Sequence, residues 1–270
     1  MLVMRKTLLF AVVLSTAGLA GLVLQTLAEN LPGYTDTPML PSGKWHVHDP
    51  KRPQPPVVTP AAAFSLGAPA PSDAIVLFDG TDLSHWEGDQ GAAPWNVHDG
   101  YMEIKPHSGY IHTKEKFGDY QLHVEFSEPV NPEDPGNSGV FLQGVYELQI
   151  YNSDDNHIYA DGVCGAFYGQ SPPLANANKK PGQWQTFDII FEAARWNQNH
   201  QFVRPAIVTV FQNVVLIHYQ QPLLGPTGHR ILANYDKELP ATGPIALQDH
   251  GDIVRFRNIW VRNIQDEEKP

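Results

Sequence analysis

The sequence predicts an all-β fold, a sandwich or jelly roll of antiparallel sheets, and three observations support this. Apolar and polar residues alternate in short runs such as Tyr120–Ser127 and Phe187–Glu192, which is the pattern of strands with one buried face. Turn-forming pairs such as Asp79-Gly80 separate these runs. No long stretch follows the helical period, and no internal repeat is present. Many short strands joined by tight turns are typical of antiparallel sandwiches.

Residues 1–28 carry the pattern of a secretory signal peptide. Arg5 and Lys6 precede an apolar run at about 8–24, and small residues follow as far as Ala28. A positive start, a hydrophobic centre and a small-residue exit predict cleavage after Ala28 and a secreted or periplasmic protein with no membrane association afterwards. The alternative is a retained anchor, because the run approaches the ~18 apolar residues of a spanning helix.

Residues 29–73 form a proline-rich N-terminal segment before the predicted domain. Seven prolines lie between positions 50 and 71, and proline fixes φ and removes a backbone donor. We therefore predict an extended tether that buries little and is dispensable for the fold. His46 and His48, beside Asp49, are spaced like metal ligands, but without a rigid frame or further ligands this is a weak signal.

Residues 74–264 form the predicted folded domain, and residues 265–270 a charged tail. About 190 residues can bury one substantial core, so one domain is the simplest organisation. Gln212-Asn213 predicts a tight hairpin because Asn tolerates positive φ, and a shift in apolar register near Asn258 predicts a bulge. The predicted strands, in chain order, are 75–78, 120–127, 187–192, 206–211, 214–219 and 253–261.

Charge and cysteine content narrow the function classes. The formal net charge is −11 and would be −13 after loss of Arg5 and Lys6. Nucleic acid and anionic lipid surfaces are therefore poor partners, since affinity for them comes largely from Lys and Arg. The only cysteine, Cys164, excludes an intramolecular disulfide. Its small neighbours Gly165 and Ala166 favour a small buried residue over a nucleophile.

The most informative stretch is 137–144, followed at once by Tyr146–Ile150. Both alternate like strands, so every second side chain points to the same face. Leu148 and Ile150 go to one face, and Glu147 and Gln149 go to the other. An acid and an amide side by side on the face away from the core suit the floor of a polar ligand site. The alternative is an ordinary strand with one solvent-facing side.

These and other motifs resemble those of one family, the DUF1080 or 3-keto-disaccharide hydrolase domains. Residues 77–86 read LFDGTDLSHW and are similar to the family's opening LFNGKDLSGW. Further matches, in the family's order, are WNVHDG at 95–100, FGDYQL at 117–122, NSGVF at 137–141, YELQI at 146–150, GPIALQDHG at 243–251 and FRNI at 256–259. The motifs cover the whole predicted domain. One departure is Asn213-Val214, where the family usually has Asn-Gly in the late hairpin.

The resemblance implies a concanavalin-like β-sandwich that acts on sugars already oxidised at C3. A ketone at C3 acidifies the C2 proton; a base removes it, the enolate expels the glycosidic oxygen at C1, and water adds back. Given the resemblance, Glu147 and His250 are the predicted catalytic pair, one as base and one as acid, with the two roles unassigned. The alternatives are a carboxylate that orients a basic side chain and a loop histidine that closes a turn.

Six further residues are predicted to bind the sugar, because they carry amide, carboxylate or aromatic side chains suited to sugar hydroxyls and C–H surfaces. The amides and the carboxylate would hydrogen-bond sugar hydroxyls or orient the histidine, and flat rings would stack on C–H surfaces. The alternatives are turn caps for the polar residues and core packing for the aromatic ones. The predicted substrate-binding residues are Asn137, Gln143, Gln149, Asp249, Trp86 and Tyr168.

No cofactor is predicted, although a structural calcium ion would suit the oxygen-rich loops around Asp79, Asp82, Asp134 and 154–155. The competing function class is a non-catalytic carbohydrate-binding module on the same fold, because fold does not determine function. A binding module needs amides and aromatics but no proton shuttle, so Glu147 together with an Asp-His pair favours the enzyme. The predicted partner is a carbohydrate substrate, and the sequence carries no signal of oligomeric state.

Overall fold

The structure of the protein, a computed structural model, describes residues 32–61, 65–131, 133–154 and 158–264. Within these ranges the regular secondary structure consists of β-strands, and the paired strands are antiparallel. The predicted fold class, an all-β jelly-roll sandwich of antiparallel sheets, is confirmed. The same ranges contain no helix long and apolar enough to cross a membrane. The predicted signal peptide and the charged tail lie outside the described residues.

Sixteen strands lie within the described ranges, and each of the six predicted strands coincides with one of them. The strands are β1 (Ile75–Phe78), β2 (Trp86–Gly88), β3 (Gly91–Ala92), β4 (Asn96–His98), β5 (Tyr101–Glu103), β6 (Ile111–Thr113), β7 (Tyr120–Ser127), β8 (Ser138–Leu142), β9 (Tyr146–Ile150), β10 (Gln185–Glu192), β11 (Arg195–Trp196), β12 (Phe202–Arg204), β13 (Ile207–Gln212), β14 (Val215–Pro222), β15 (Ala246–Leu247) and β16 (Arg255–Asn263).

Two sheets form the sandwich. The larger has eight strands in the order β14-β13-β10-β7-β16-β5-β4, with β1 also paired to β16. The smaller has six strands in the order β3-β2-β6-β15-β8-β9. A separate pair, β11-β12, lies beyond the end of β10 in the chain. Because β15 is inserted between β6 and β8, residues far apart in the sequence become neighbours in the six-stranded sheet.

The core lies between the two sheets and is rich in aromatic rings. Tyr120 and Phe191 on the larger sheet have ring centroids 5.1 Å apart. Tyr146, on β9 of the smaller sheet, lies 5.8 Å from Phe191 and so joins the two layers. Leu148 and Ile150 are fully buried in the same cluster, as their alternation predicts. Cys164 is also fully buried, and burial raises the pKa of its thiol, so it is a packing residue and not a nucleophile.

The predicted hairpin and bulge are both present, but the hairpin turn lies one residue later than predicted, because Gln212 still pairs within β13. Asn213 and Val214 join β13 to β14 with φ angles of 50° and 64°, the left-handed pair that a two-residue hairpin turn requires. Asn258 has a φ of 45°, and the register of β16 against β7 shifts between Arg257 and Trp260. The extra residue is therefore accommodated where the apolar pattern slips.

Replacing Val214 with Gly is expected to stabilise the protein by about 0.5–1 kcal/mol. A left-handed backbone costs a branched L-residue about 1–2 kcal/mol, whereas Gly adopts it freely and loses only about 0.5–1 kcal/mol through chain entropy. Equilibrium urea unfolding measures the difference. Val203, an exposed valine on β12 that is absent from the left-handed positions, is the matched control. Val203→Gly should destabilise; equal losses in both variants would contradict the strain argument.

The prediction that the N-terminal segment buries little is wrong. Val47 and His48 are fully buried and Leu40 is 4% exposed. The backbone of Val58 pairs with that of Asn176 at 2.9 Å, and Asn258 Nδ2 donates to the carbonyl of Ala68 at 2.9 Å. The segment therefore packs against loops and against the larger sheet. Sequence periodicity missed this because isolated side chains, and not a repeating apolar face, make the contacts.

Candidate active site

The floor of the candidate site is the outer face of the six-stranded sheet. Across β15, β8 and β9, the register aligns Leu247, Val140 and Leu148 on the core face. Side chains alternate along a strand, so Glu147 and Gln149 point outward, as predicted. Gln248 follows β15 and continues the register, because its N–H donates to the carbonyl of Gly139 at 3.0 Å.

Glu147 lies buried on this floor although it points away from the core. Glu147 is only 5% exposed. Burial raises the pKa of its carboxyl group to about 8, and a hydrogen bond with the side chain of Gln248 partly opposes this rise. With the amide nitrogen of Gln149 turned toward Glu147, it donates to Glu147 Oε1 and to the carbonyl of Ser138, each at 3.2 Å. A carboxyl group with this pKa keeps its proton at neutral pH and loses it only under mildly alkaline conditions.

Gly139 provides the space in which the Glu147 side chain lies. A Cβ atom at position 139 would come within 2.8 Å of Glu147 Oε1 and 2.9 Å of Glu147 Cγ. Gly139 faces Gln149 across the β8–β9 pair, so it is the diagonal neighbour of Glu147. The Glu147 carboxyl therefore leans over the glycine toward Gln248 because no side chain stands between them.

Gly139→Ala is expected to slow the predicted cleavage of 3-keto-glycosides at least about tenfold. The added methyl group must displace the Glu147 carboxyl from its position on the floor, and misplacing a group that takes part in a reaction lowers the rate steeply. The melting temperature should fall by only a few degrees. Steady-state kinetics and thermal unfolding measure the two effects. Activity equal to that of the unchanged protein would mean that the position of Glu147 on the floor is immaterial.

Two loops build the walls of the site on the edge of β9. The loop after β9 returns beside the strand, and Tyr168 N–H donates to the carbonyl of Glu147 at 3.2 Å. The loop after β14 is anchored where the Glu147 N–H donates to Thr227 Oγ1 at 3.0 Å. The Tyr168 hydroxyl lies 2.7 Å from the Tyr159 hydroxyl and 2.9 Å from His229 Nδ1. The walls thus carry a hydrogen-bonded chain of two tyrosines and a histidine.

These wall residues have shifted pKa values with identifiable causes. Burial raises the pKa of Tyr168 to about 12, so its phenol stays protonated at neutral pH. Burial lowers the pKa of His229, and its electrostatic interactions with the basic side chains of His48, Arg230 and His250 lower it further. His229 is therefore a neutral imidazole near neutral pH, able to accept or pass a proton.

The N-terminal segment supports the walls from behind. His48 Nδ1 lies 3.2 Å from Asp161 Oδ1, and both side chains are fully buried. The His48 ring contacts those of Tyr159 and Tyr168, with centroids 4.2 and 4.6 Å away. Arg52 Nη1 approaches Asp161 at 3.5 Å. His48 therefore interacts with Asp161 and the two tyrosines. This structural role explains its presence without the metal site that the spacing of His46 and His48 suggested.

A single cavity of about 380 Å³ lies between this floor and these walls, within the range of small-molecule pockets. Five of the eight predicted site residues line it, namely Glu147, His250, Gln149, Asn137 and Tyr168. The amides of Gln149 and Asn137 lie 3.4 Å apart. Sequence reasoning missed the other lining residues, which are Tyr110, Phe141, Ile158, Tyr159, Thr227, Gly228, His229 and Gln248.

Three predicted substrate-binding residues do not line the cavity. Trp86 is 1% exposed in the core and donates to the carbonyl of Leu77 at 2.8 Å. Gln143 forms the turn between β8 and β9 and donates to the carbonyl of Ala241 at 3.1 Å. Asp249 accepts backbone N–H groups from the loop before β6 and from its own turn. Each of these side chains makes hydrogen bonds within the fold. The prediction that these three residues bind the sugar is therefore corrected.

The alternation of residues 245–248 could have identified Gln248. Ile245 and Leu247 are fully buried, so Gln248 points outward with the site. Tyr159 and His229 lie in irregular loops, where no period connects sequence to direction. Their part in the site follows only from the way the two loops return to β9.

No group of three or more His, Cys, Asp or Glu side chains suited to a metal occurs in the part of the chain that the structure describes. Asp79 and Asp82 accept hydrogen bonds from the turns at Thr81 and Ser84, and Asp134 accepts from the N–H of Gly136. These carboxylates act as turn caps here. Asp155, part of the loop considered for calcium, lies outside the described residues.

The sequence matches the family described as "3-keto-alpha-glucoside-1,2-lyase-like domain" over residues 73–262. The chain belongs to this family. The resemblance drawn from the motifs is therefore confirmed. The N-terminal residues that support the site walls, His48 and Arg52 among them, lie before the matched region. The comparison with curated proteins found no match.

Three solved structures of proteins from Parabacteroides distasonis ATCC 8503, each provisionally assigned as a glycosyl hydrolase, are similar to this chain. One is 44% identical, with a TM-score of 0.70, and the match covers 79% of this chain and 93% of that chain. A second is 23% identical, with a TM-score of 0.52 and coverage of 71% and 99%. A third is 18% identical, with a TM-score of 0.53 and coverage of 71% and 94%. The first supports a glycosidase-like protein, and the other two show the fold alone.

Proposed function

We propose that the protein is an exported enzyme that cleaves the glycosidic bond of 3-keto-glycosides by removing the C2 proton and eliminating the C1 oxygen. The observation that carries this proposal is the buried Glu147 carboxyl, which shares one polar cavity with His250. The family description, which names a 3-keto-α-glucoside 1,2-lyase-like domain, supports the same chemistry. A purely sugar-binding surface has no need of a buried carboxyl group with a raised pKa.

The two proton transfers are assigned from the surroundings of each group. Glu147, with a pKa of about 8, holds its proton at neutral pH and donates it to the departing C1 oxygen. His250 is exposed at the edge of the cavity, and its ring has no hydrogen-bond partner among the described residues, so it is free to take the C2 proton. An imidazole is well suited to proton transfer near neutral pH.

The proposed reaction conserves protons and electrons. The C2 proton passes to His250, the C1–O bond breaks, and the leaving oxygen takes a proton from Glu147. The sugar product is an unsaturated ketone with a double bond between C1 and C2. Water can then add its oxygen at C1 and a proton at C2, which gives the free 3-keto sugar. No oxidant or reductant is consumed, because the oxidation at C3 precedes this step.

Assay of the purified protein on 3-keto-trehalose and 3-keto-lactose, each beside its unoxidised disaccharide, tests the substrate class. We expect cleavage of the keto forms and none of the parent sugars. In D₂O, the hydrated product should carry deuterium at C2, because that proton is removed and replaced from solvent. Cleavage with C2 hydrogen retained would exclude elimination. Binding of either sugar without cleavage would indicate a carbohydrate-binding module instead.

A further inference from the structure

Removal of the C2 proton places negative charge on the oxygen at C3, because the enolate is delocalised over the ketone. A hydrogen-bond donor already directed at that oxygen would stabilise the charge as it develops. Such a donor needs a proton that is not committed to another protein group, on a side chain that lines the cavity. This inference rests on the proposed function and concerns which residue meets that need.

Tyr110 lies on the floor of the cavity, next to Gln248 on the outward face of the six-stranded sheet. It directly precedes β6, whose register with β15 aligns Ile111 with Leu247. Tyr110 therefore lies beside Gln248 on the outward face, and both line the cavity. The Tyr110 ring packs against Phe141 with centroids 5.6 Å apart. The contacts with Gln248 and Phe141 hold the phenol in place. Glu147 also leans toward Gln248, so Tyr110 and Glu147 lie near the same amide.

The direction of one hydrogen bond leaves the Tyr110 proton unused. Gln248 Nε2 donates to Tyr110 Oη at 2.7 Å, and an amide nitrogen can only donate. The Tyr110 oxygen is thus the acceptor, and its own proton has no acceptor among the residues that the structure describes. Burial raises the pKa of Tyr110, an effect that the hydrogen bond from Gln248 partly opposes, so the phenol remains protonated near neutral pH.

The tyrosines on the wall are placed differently. The Tyr168 hydroxyl lies between His229 Nδ1 and the Tyr159 hydroxyl, and either of these atoms can accept its proton. The Tyr159 hydroxyl can likewise donate to that of Tyr168. Tyr110 differs from both, because its partner Gln248 Nε2 can only donate.

We propose that Tyr110 donates a hydrogen bond to the C3 oxygen of the substrate and stabilises the enolate, and that Gln248 orients it. During the step, the C2 proton passes to His250 and the electron pair moves onto the C3 oxygen. Tyr110 keeps its proton throughout, so the balance of the reaction is unchanged. Its contribution is electrostatic and is greatest when the C3 oxygen is charged.

The test separates enolate formation from bond cleavage. The probe is a 3-keto sugar with hydrogen in place of the glycosidic oxygen at C1, which can lose its C2 proton but has no glycosidic group to expel. In D₂O, the unchanged protein should exchange the C2 hydrogen of this probe. Tyr110→Phe should slow the exchange about 10²–10³-fold, the typical cost of losing one such donor, with little change in KM. NMR measures the exchange directly.

Tyr101→Phe is the matched control, because Tyr101 is a half-buried tyrosine on β5 outside the cavity, and it should exchange at the original rate. Equal rates for Tyr110→Phe and the unchanged protein would overturn the role of Tyr110 and leave the proposed function standing. If the unchanged protein neither exchanges the probe nor cleaves a 3-keto-glycoside, both fall. Should Tyr110→Phe fail to fold, Gln248→Met keeps the phenol without its orienting donor, and unaltered exchange in that variant would also overturn the proposal.

Discussion

Glu147→Gln is expected to lower kcat on a 3-keto-glycoside at least about a hundredfold while the protein remains folded. The glutamine keeps the size of the side chain on the floor but has no proton to give to the departing oxygen. Loss of a general acid or base typically costs ~10²–10⁴ in rate. His250→Ala should show a loss of similar size. Gln149→Ala is the comparison, because a group that only binds substrate should mainly raise KM.

The pH dependence tests the role of Glu147 as the acid. A proton donor with a pKa of about 8 is competent below that value, so kcat should fall as the pH rises through about 8. Glu147→Gln should lack this decline in its residual activity. If activity instead increases up to pH 8 because the carboxylate is the active form, Glu147 is the base and the two assigned roles are reversed.

The same group makes stability depend on pH, which provides an independent check. The folded-state pKa of about 8 lies above the ordinary value of 4.5, so the folded state retains a proton that the unfolded chain releases. The stabilisation linked to this proton is complete below about pH 4.5 and is lost as the pH rises to about 8. Glu147→Gln should therefore gain stability relative to the unchanged protein over this interval, as measured by urea unfolding.

Deletion of residues 29–72 is expected to lower the melting temperature by about 10 °C or more and to abolish most activity. The deletion exposes the surfaces that Val47 and Leu40 cover, each worth about 1.5–3 kcal/mol of burial. It also leaves the buried carboxylate of Asp161 without His48 and Arg52, and an unpaired buried charge costs about 3–5 kcal/mol. Differential scanning calorimetry of the shortened chain and of the chain that begins at residue 29 measures the change.

Adding Asp161→Asn to the shortened chain distinguishes charge from packing. If the unpaired carboxylate is a main cause of the loss, the neutral amide should recover a few degrees. The same substitution in the longer chain should destabilise, because there it removes the partner of His48. An unchanged melting temperature after the deletion would mean that the segment does not pack as described.

The local features of this protein were predictable from its sequence. Alternation placed Glu147 and Gln149 opposite Leu148 and Ile150, because the period of a strand is two residues wherever the strand lies. Asn213 identified a turn because its side chain tolerates positive φ. The motifs around these residues identified the family and, through it, the proposed catalytic pair, Glu147 and His250, both of which line the cavity. Each of these inferences depends on neighbours along the chain.

The tertiary structure decided what depends on residues far apart in the sequence. Tyr110 and Gln248 meet only because β15 pairs with β6, and His48 supports Tyr168 only because the N-terminal segment packs behind the loop after β9. The same long-range contacts moved Trp86 and Asp249 from predicted ligands to structural residues. The sequence period cannot predict these contacts. It gives the direction of a side chain on its own strand, whereas the contacting residues depend on the order of the strands in the sheets.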